Sequence, residues 1–322
     1  MRSVLFLACT GLALAAPTID QLLSSGFPTE MTAAPVGAKV AWVRNLKGVR
    51  NILVAEPPFH KGRVVTSYNA DDGQEISNLI FTADARNLIY VRGAAANRAG
   101  EFPNPTSDPR GADQALWLLS LNPPPNYTGP RKLADGSSPK LSPDGRRLAY
   151  VSKGQVWMMN SDGGANAQLF KMRGSASALQ WSPDSSKLAF TSNRGDHSFV
   201  GVYDLAAKSL KWIAPSVDRD SSPIWSPDSK RLAFLREPTV SKPFMFAPVR
   251  ETTPFEILTA HVTSTEVSAK SIFRATAGPG SAFWNIVADT QIFWGDGDQI
   301  IFPWEKSGWV NLYSIPVAGG AE

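Results

Sequence analysis

The chain repeats one ten-residue sequence three times, and this repeat constrains the fold more than any other feature. The copies are LSPDGRRLAY at 141–150, WSPDSSKLAF at 181–190 and WSPDSKRLAF at 225–234. Successive copies are separated by 40 and 44 residues. Repeats of about this length are typical of four-stranded units that stack side by side. A chain built in this way has to bury the faces of each unit against its neighbours.

Each copy combines the sequence of a tight turn with that of a strand. The proline presets the backbone φ for a turn, and Asp144, Asp184 and Asp228 can accept hydrogen bonds from the backbone that follows them. The residues after the turn, such as KLAFTS, alternate between apolar and polar, as in a half-buried strand. We therefore interpret these three aspartates as structural turn residues.

Weaker copies extend the series in both directions. FTADARNLIYVR at 81–92 keeps the aspartate and the strand, GAKVAWVR at 37–44 keeps mainly the strand, and WGDGDQIIFPW at 294–304 has a Gly-Asp turn. A further apolar strand follows each of the six. The sequence therefore predicts an all-β fold, a β-propeller of four-stranded antiparallel blades, with about six blades present and the last one incomplete. The predicted blades start near residues 37, 82, 141, 181, 225 and 290.

The N-terminal end reads differently from the repeats. MRSVLFLACTGLALAAP has a basic residue, a short apolar run and a small-residue site, which is typical of a secretory signal peptide. We assign residues 1–16 to the signal peptide, 17–35 to an N-terminal lead segment and 36–322 to the propeller. No later segment approaches about 18 uninterrupted apolar residues, so no membrane span is expected. The predicted location is periplasmic or secreted.

Composition and charge argue against several classes of function. Lys and Arg total 32 against 28 Asp and Glu, without long basic runs, so a nucleic acid partner is not expected. The three histidines lie far apart in no metal-ligating pattern, and we expect no metal and no cofactor. Cys9, the only cysteine, lies in the signal peptide, which excludes a disulfide framework in the mature chain. GPGSAF at 278–283 lacks the second glycine of a Gly-x-Ser-x-Gly elbow, so we assign no catalytic residue.

Two blades carry long insertions. Residues 93–113 are rich in Pro, Gly, Asn and Asp and have no strand pattern, and residues 237–254 are similar apart from an apolar FMF. Long loops on a rigid scaffold are a common place for binding residues. A tolerated surface insertion is the alternative for each.

Longer sequences resemble a known family. RGDHSFVGVYDL, PSVDRDSSPIWSPDSKRLAFLR, RATAGPGSAFW and FPWEKSGWVNLYSIP look like the N-terminal propeller of bacterial exported prolyl oligopeptidase-family serine peptidases of the dipeptidyl peptidase IV-like kind. The resemblance covers the chain from about Ala38 to its end. It implies a propeller of seven or eight blades ahead of an α/β-hydrolase domain that carries Ser, Asp and His. In that family the propeller screens the active site, so that only short or unstructured peptides enter. No residue up to Glu322 matches that triad, so we expect a chain truncated before the hydrolase domain.

The resemblance also implies that charged propeller residues hold a peptide substrate. In dipeptidyl peptidase IV these are two glutamates in an Asp-Trp-x-Tyr-Glu-Glu-like sequence and a loop arginine. The glutamate sequence is absent here, which argues against strict release of dipeptides. The 93–113 insertion supplies Glu101 and Arg110, whose charges would meet the amino and carbonyl ends of a peptide. This assignment follows from loop position, and a solvated loop is the alternative.

Two functions remain open at this point. The first is a substrate-gating and positioning propeller domain of an exported serine exopeptidase, not catalytic on its own, which passes a peptide substrate to the missing hydrolase domain. The second is a non-enzymatic six-bladed periplasmic binding propeller of the Tol type, closed by a strand from about Thr18 to Pro35, although IDQLLSSG there reads as a short helix. An unfinished ring exposes apolar faces on its first and last blades, so association into homo-oligomers is expected.

Overall fold

The fold is all-β. The structure, a computed structural model, describes residues 18–20, 24–239, 254–262, 268–288 and 290–320. Its described elements are 23 strands, and residues 19 and 20 are helical. The predicted signal peptide and Cys9 lie outside the described residues.

The strands follow one another along the chain in six groups. The first group is β1 (Phe27–Ala33), β2 (Val40–Leu46), β3 (Val49–Ala55) and β4 (Arg63–Val64), and the second is β5 (Ile76–Phe81), β6 (Asn87–Arg92), β7 (Ala115–Ser120) and β8 (Arg131–Asp135). The third is β9 (Ser137–Leu141), β10 (Arg147–Ser152), β11 (Gln155–Asn160) and β12 (Ala167–Gln168), and the fourth is β13 (Ser175–Trp181), β14 (Lys187–Asn193), β15 (Ser198–Asp204) and β16 (Ser209–Trp212). The fifth is β17 (Arg219–Trp225), β18 (Arg231–Glu237), β19 (Glu256–His261) and β20 (Ala269–Arg274), and the sixth is β21 (Phe293–Gly295), β22 (Gln299–Trp304) and β23 (Asn311–Pro316).

Each group forms an antiparallel sheet in which neighbours in sequence are neighbours in space. The fourth and fifth sheets are joined by one parallel bridge between Ser198 and Arg219. The sixth sheet has three strands among the described residues. These sheets confirm the predicted all-β propeller of four-stranded antiparallel blades.

Five of the six sheets begin a few residues before the predicted blade starts, and the sixth begins at residue 293. The sheets begin at residues 27, 76, 137, 175, 219 and 293. Each of the three clear repeats therefore holds the end of a first strand, a turn and a second strand. The segment assigned as a lead, 17–35, contains β1, which pairs with β2 in the first sheet.

The Ser-Pro-Asp turn is stabilised by its own side chains. Ser142 Oγ donates to Asp144 Oδ1 at 2.5 Å, and the Arg147 amide donates to Ser142 Oγ at 3.0 Å. The same bonds recur in the turns of Asp184 and Asp228. The hydroxyl hydrogen bond lowers the pKa of Asp144 and of Asp228, so both remain carboxylates at neutral pH. Asp144, Asp184 and Asp228 each accept a hydrogen bond from the serine of their own turn.

The repeated residues also connect one sheet to the next. The Trp181 indole donates to the Lys140 carbonyl of the preceding sheet at 2.8 Å, and the Trp225 indole donates to the Gln180 carbonyl at 3.1 Å. In the turns, the Asp184 amide donates to Ser229 Oγ of the following sheet at 3.1 Å. The repeat is therefore a connector between blades as well as a hairpin.

Five apolar clusters fill the spaces between successive sheets. The cluster between the fourth and fifth sheets, for example, combines Val200 and Val202 with Leu232 and Phe234. Each large side chain buried in this way contributes about 1.5–3 kcal/mol relative to exposure. Side chains of the first and last sheets are less covered, with Phe27 and Leu312 both 68% exposed. Association through these faces stays a prediction.

Replacement of Trp181 by phenylalanine tests the inter-blade contact. Trp181→Phe removes the bond to the Lys140 carbonyl and leaves space beside Leu188 and Phe190. We expect the free energy of unfolding to fall by about 1–3 kcal/mol in urea denaturation followed by circular dichroism. Trp309→Phe is the matched control, because Trp309 is 79% exposed, and should change stability by less than about 0.5 kcal/mol. Equal effects of the two changes would contradict this account.

Candidate functional site

Both long insertions leave the same end of their sheets. In an antiparallel four-stranded sheet, the loop between the second and third strands lies at the end from which the chain passes to the next sheet. The first insertion joins β6 to β7 and the second joins β18 to β19. We call this end of the sheets the loop face. Residues 240–253 of the second insertion lie outside the described residues.

Asparagine side chains give the first insertion a defined conformation. Asn97 Oδ1 accepts hydrogen bonds from the amides of Ala99 and Glu101, at 2.9 and 3.0 Å. Asn104 Oδ1 accepts one from the Asp108 amide at 3.0 Å, and its Nδ2 donates to the Asp108 carbonyl at 2.9 Å. Such local bonds are how asparagine shapes turns. The insertion is therefore folded by its own side chains.

Glu101 and Arg110, the predicted substrate residues, lie on this insertion and each has a local partner. Glu101 Oε2 accepts a hydrogen bond from Asn97 Nδ2 at 2.9 Å. The Arg110 guanidinium forms two bonds to the Asp108 carboxylate, at 3.1 and 2.8 Å, while its side chain is 88% exposed. The guanidinium lowers the pKa of Asp108 to about 2. No contact within the described residues joins Glu101 directly to Arg110.

A groove of about 500 Å³ lies beside the insertion, between the second and third sheets. Phe102 and Gln114 line one side, and Gly136, Val151 and Gly154 line the other. This volume is within the range of pockets that bind small ligands.

A lysine bridges two carboxylates at the rim of this groove. Lys132 Nζ forms ion pairs with Asp113 and Asp135, both of which line the groove. Lys153 also lines the groove, so its lining carries both signs of charge.

A buried ion pair anchors the loop face at the fourth and fifth sheets. The Arg236 guanidinium binds both oxygens of Asp220, at 2.7 and 2.9 Å, and donates to the Ala214 carbonyl at 2.6 Å. Asp220 is fully buried, and this burial raises the pKa of its carboxyl to about 6 against the opposing effect of Arg236. Thr239, at the base of the second insertion, donates to the Val217 carbonyl at 3.0 Å. These bonds attach the segment between the fourth and fifth sheets, which contains Ala214 and Val217, to the end of β18 and the base of the second insertion.

Sequence reasoning did not identify the Asp220–Arg236 pair. The two residues lie directly opposite each other in the register of β17 and β18. The pair could have been found from the sequences RDSSPIW and RLAFLRE. In these two adjacent strands, charged residues of opposite sign stand at corresponding positions.

The serine of GPGSAF, Ser281, lies in a buried turn. Ser281 is fully buried, and its amide donates to the Gly278 carbonyl at 3.0 Å. The Trp304 indole donates to the Gly280 carbonyl at 2.6 Å and covers this turn.

Among the described residues, no three His, Cys, Asp or Glu side chains are grouped closely enough to hold a metal ion. Within the same residues, no helix has the length and apolar character to cross a membrane.

The middle of the chain matches a known domain. Residues 134–243, which include the third and fourth sheets, match the sequence profile of the TolB beta propeller domain. A comparison with curated proteins found no match. The fold is therefore a β-propeller whose central part is similar to the TolB beta propeller domain.

Solved structures resemble the chain over most of its length. Dipeptidyl peptidase 4 of Porphyromonas gingivalis is 13% identical with a TM-score of 0.58, over 91% of this chain and 46% of that chain. A puromycin-hydrolyzing peptidase of Mycobacterium tuberculosis is 14% identical with a TM-score of 0.57, over 92% and 44%. Oligogalacturonate lyase of Vibrio parahaemolyticus is 12% identical with a TM-score of 0.54, over 87% and 76%. The chain spans less than half the length of the two peptidases, and these similarities establish the fold alone.

The pH dependence of stability tests the buried carboxyl. The folded protein binds the Asp220 proton more tightly than the unfolded chain does, so its contribution to the free energy of unfolding falls as pH rises from about 4 to about 6. Relative to Asp220→Asn, the unmodified protein should lose up to about 3 kcal/mol over this range, measured by unfolding at a series of pH values.

Asp228→Asn is the control, because the pKa of Asp228 is shifted in the opposite direction to that of Asp220. The lowered pKa of Asp228 stabilises the folded protein above the unfolded-state pKa, and this stabilisation is lost as the pH falls through the lower folded-state pKa. A flat difference for Asp220→Asn between pH 4 and 7 would show that its carboxyl does not titrate in this range.

Proposed function

We propose that the chain is the substrate-gating and positioning propeller of an exported serine exopeptidase of the dipeptidyl peptidase-like kind, and that it is not catalytic on its own. The observation that carries the proposal is the ordered 93–113 insertion on the loop face, with a groove of about 500 Å³ beside it. The long sequence strings that resemble peptidase propellers support the same reading. The N-terminal signal sequence supports a periplasmic or secreted location.

In this function the loop face meets a peptide before a hydrolase domain cleaves it. Glu101 binds the amino end of the peptide, and Arg110 binds a carbonyl or carboxylate. Arg110 then exchanges part of its bonding to Asp108 for bonds to the peptide. Charge-assisted bonds of this kind are stronger than neutral ones and provide orientation. The rigid sheets beneath keep the two ends of the insertion in place.

The gene sequence beyond codon 322 tests this function directly. We expect the open reading frame to continue and to encode a Gly-x-Ser-x-Gly elbow followed by aspartate and histidine, in the order of α/β-hydrolases. The complete gene product should then hydrolyse short chromogenic peptides and react with a serine-directed fluorophosphonate. A stop codon immediately after codon 322 would contradict the proposal.

A second function is favoured by the match of residues 134–243 to the TolB beta propeller domain. In that case the loop face binds a protein partner and cleaves nothing. Affinity purification from a periplasmic extract separates the two functions. A stable stoichiometric protein partner, together with absence of peptidase activity in the complete gene product, would favour the binding module.

Substitutions in the insertion test the substrate residues in the complete gene product. Arg110→Gln removes one charge-assisted contact and should raise KM for short peptides about 5–10-fold with little change in kcat. Glu101→Gln should raise KM for peptides with a free amino terminus and leave N-acetylated peptides unaffected. Arg98→Gln, in the same insertion, is the control for overall loop charge. A KM that changes equally in Arg98→Gln and Arg110→Gln would exclude a specific role for Arg110.

A further inference from the structure

Arg194 lies on the loop face with its guanidinium packed against two aromatic rings. The guanidinium carbon is 4.5 Å from the centre of the Phe199 ring and 4.9 Å from that of Trp212. The two rings form an edge-to-face pair with centres 6.0 Å apart. These two cation–π contacts restrict the guanidinium to a position against the two rings. Arg194 is therefore oriented before it binds anything.

Arg194 differs from the other stacked arginines of the described chain in having no carboxylate. Three others stack on an aromatic ring, and each also pairs with an aspartate. The pairs are Arg92 with Asp72, Arg231 with Asp298 and Arg236 with Asp220. Among the described residues, no acidic side chain lies within ion-pair distance of Arg194.

Among the described residues, the only hydrogen bond from the Arg194 side chain comes from its Nε. Its Nε lies 3.5 Å from Ser192 Oγ, at the outer limit of a hydrogen bond, and that hydroxyl donates to the Arg173 carbonyl at 2.9 Å. Asp196, two residues away, has its Oδ1 2.7 Å from His197 Nδ1. The donors on both terminal nitrogens of the guanidinium are thus available to a ligand, since the described residues give them no partner.

We infer that Arg194 is the binding site for a carboxylate of a bound polypeptide. A guanidinium presents two parallel N–H donors that match the two oxygens of a carboxylate. Because Phe199 and Trp212 already fix the side chain, a ligand gains these bonds at a smaller entropic cost than it would from a free arginine. The carboxylate belongs either to a chain terminus or to an Asp or Glu side chain. The site serves a peptidase and a binding module alike.

The site lies close to the anchored base of the second insertion. Thr239 Oγ1 also lies 3.1 Å from the Asp196 carbonyl oxygen, which places the described base of the insertion beside the 194–197 loop. Arg194 therefore lies near the described base of the second insertion.

Peptides that differ only in their carboxylates test the site. The probes are acetyl-tetra-alanine with a free terminus, its amide, and acetyl-Ala-Glu-Ala-Ala-amide with its glutamine counterpart, each titrated into the protein at low salt and followed by ligand-observed NMR. We expect a peptide with a carboxylate to bind at least 10-fold more tightly than its uncharged counterpart. Binding of only the free-terminus peptide, of only the glutamate peptide, or of both identifies the source of the carboxylate.

Variants show whether Arg194 carries this preference. Arg194→Gln should reduce the affinity for the carboxylate peptide at least 10-fold, and Arg194→Lys should give an intermediate loss because lysine lacks the paired donors. Arg146→Gln, at an exposed turn on the opposite end of the sheets, should have no effect. Unchanged thermal unfolding of each variant establishes that the fold is intact. Equal binding of amidated and free peptides, or unchanged affinity in Arg194→Gln, would overturn the inference.

Discussion

The structure depends on the burial of each sheet face against the next sheet. A single four-stranded sheet of this size has two apolar faces and cannot cover them alone, so every blade is stable only beside its neighbours. The Trp181 indole and the Ser229 hydroxyl add hydrogen bonds across the same interfaces. These bonds fix the relative position of adjacent blades, because a shift of one sheet would leave the Lys140 carbonyl without this partner. The repeated decapeptide supplies the strand, the turn and the connector at once.

The fold could be predicted from the sequence because turn chemistry and second strands repeat clearly. The first strands were harder to recognise, since they contain irregularities that break the period of two. Asn78, Ala178 and Ser222 adopt positive φ at sites where the register with the second strand shifts. Such bulges interrupt alternation, and SASALQW does not read as a strand for this reason. β1 was likewise assigned to a lead segment, although it pairs with β2.

The site was predicted less completely than the fold. Composition identified the 93–113 insertion, since Asn, Pro and Gly without alternation indicate a loop. The partners of its charged side chains depend on the conformation of that loop, which Asn97 and Asn104 determine through backbone bonds. The bond between Arg110 and Asp108 therefore could not be read from spacing alone. Arg194 was not recognised at all, because its distinguishing feature is a missing carboxylate, and that is visible only when stacked arginines are compared in space.

The loop face combines a rigid base with exposed charges, and each part requires the other. Breaking the buried Asp220–Arg236 pair would leave a charge without a partner in the interior, so the loops around Ala214 stay in one arrangement. Exposed ions on a mobile loop lose much of their binding energy to ordering. On a fixed base, the proposed binding of a peptide by Arg110 and Arg194 would require little ordering of the chain beyond the Arg110 side chain. In the proposed function, the stacked sheets thus give shape to a surface that holds a polypeptide in one orientation.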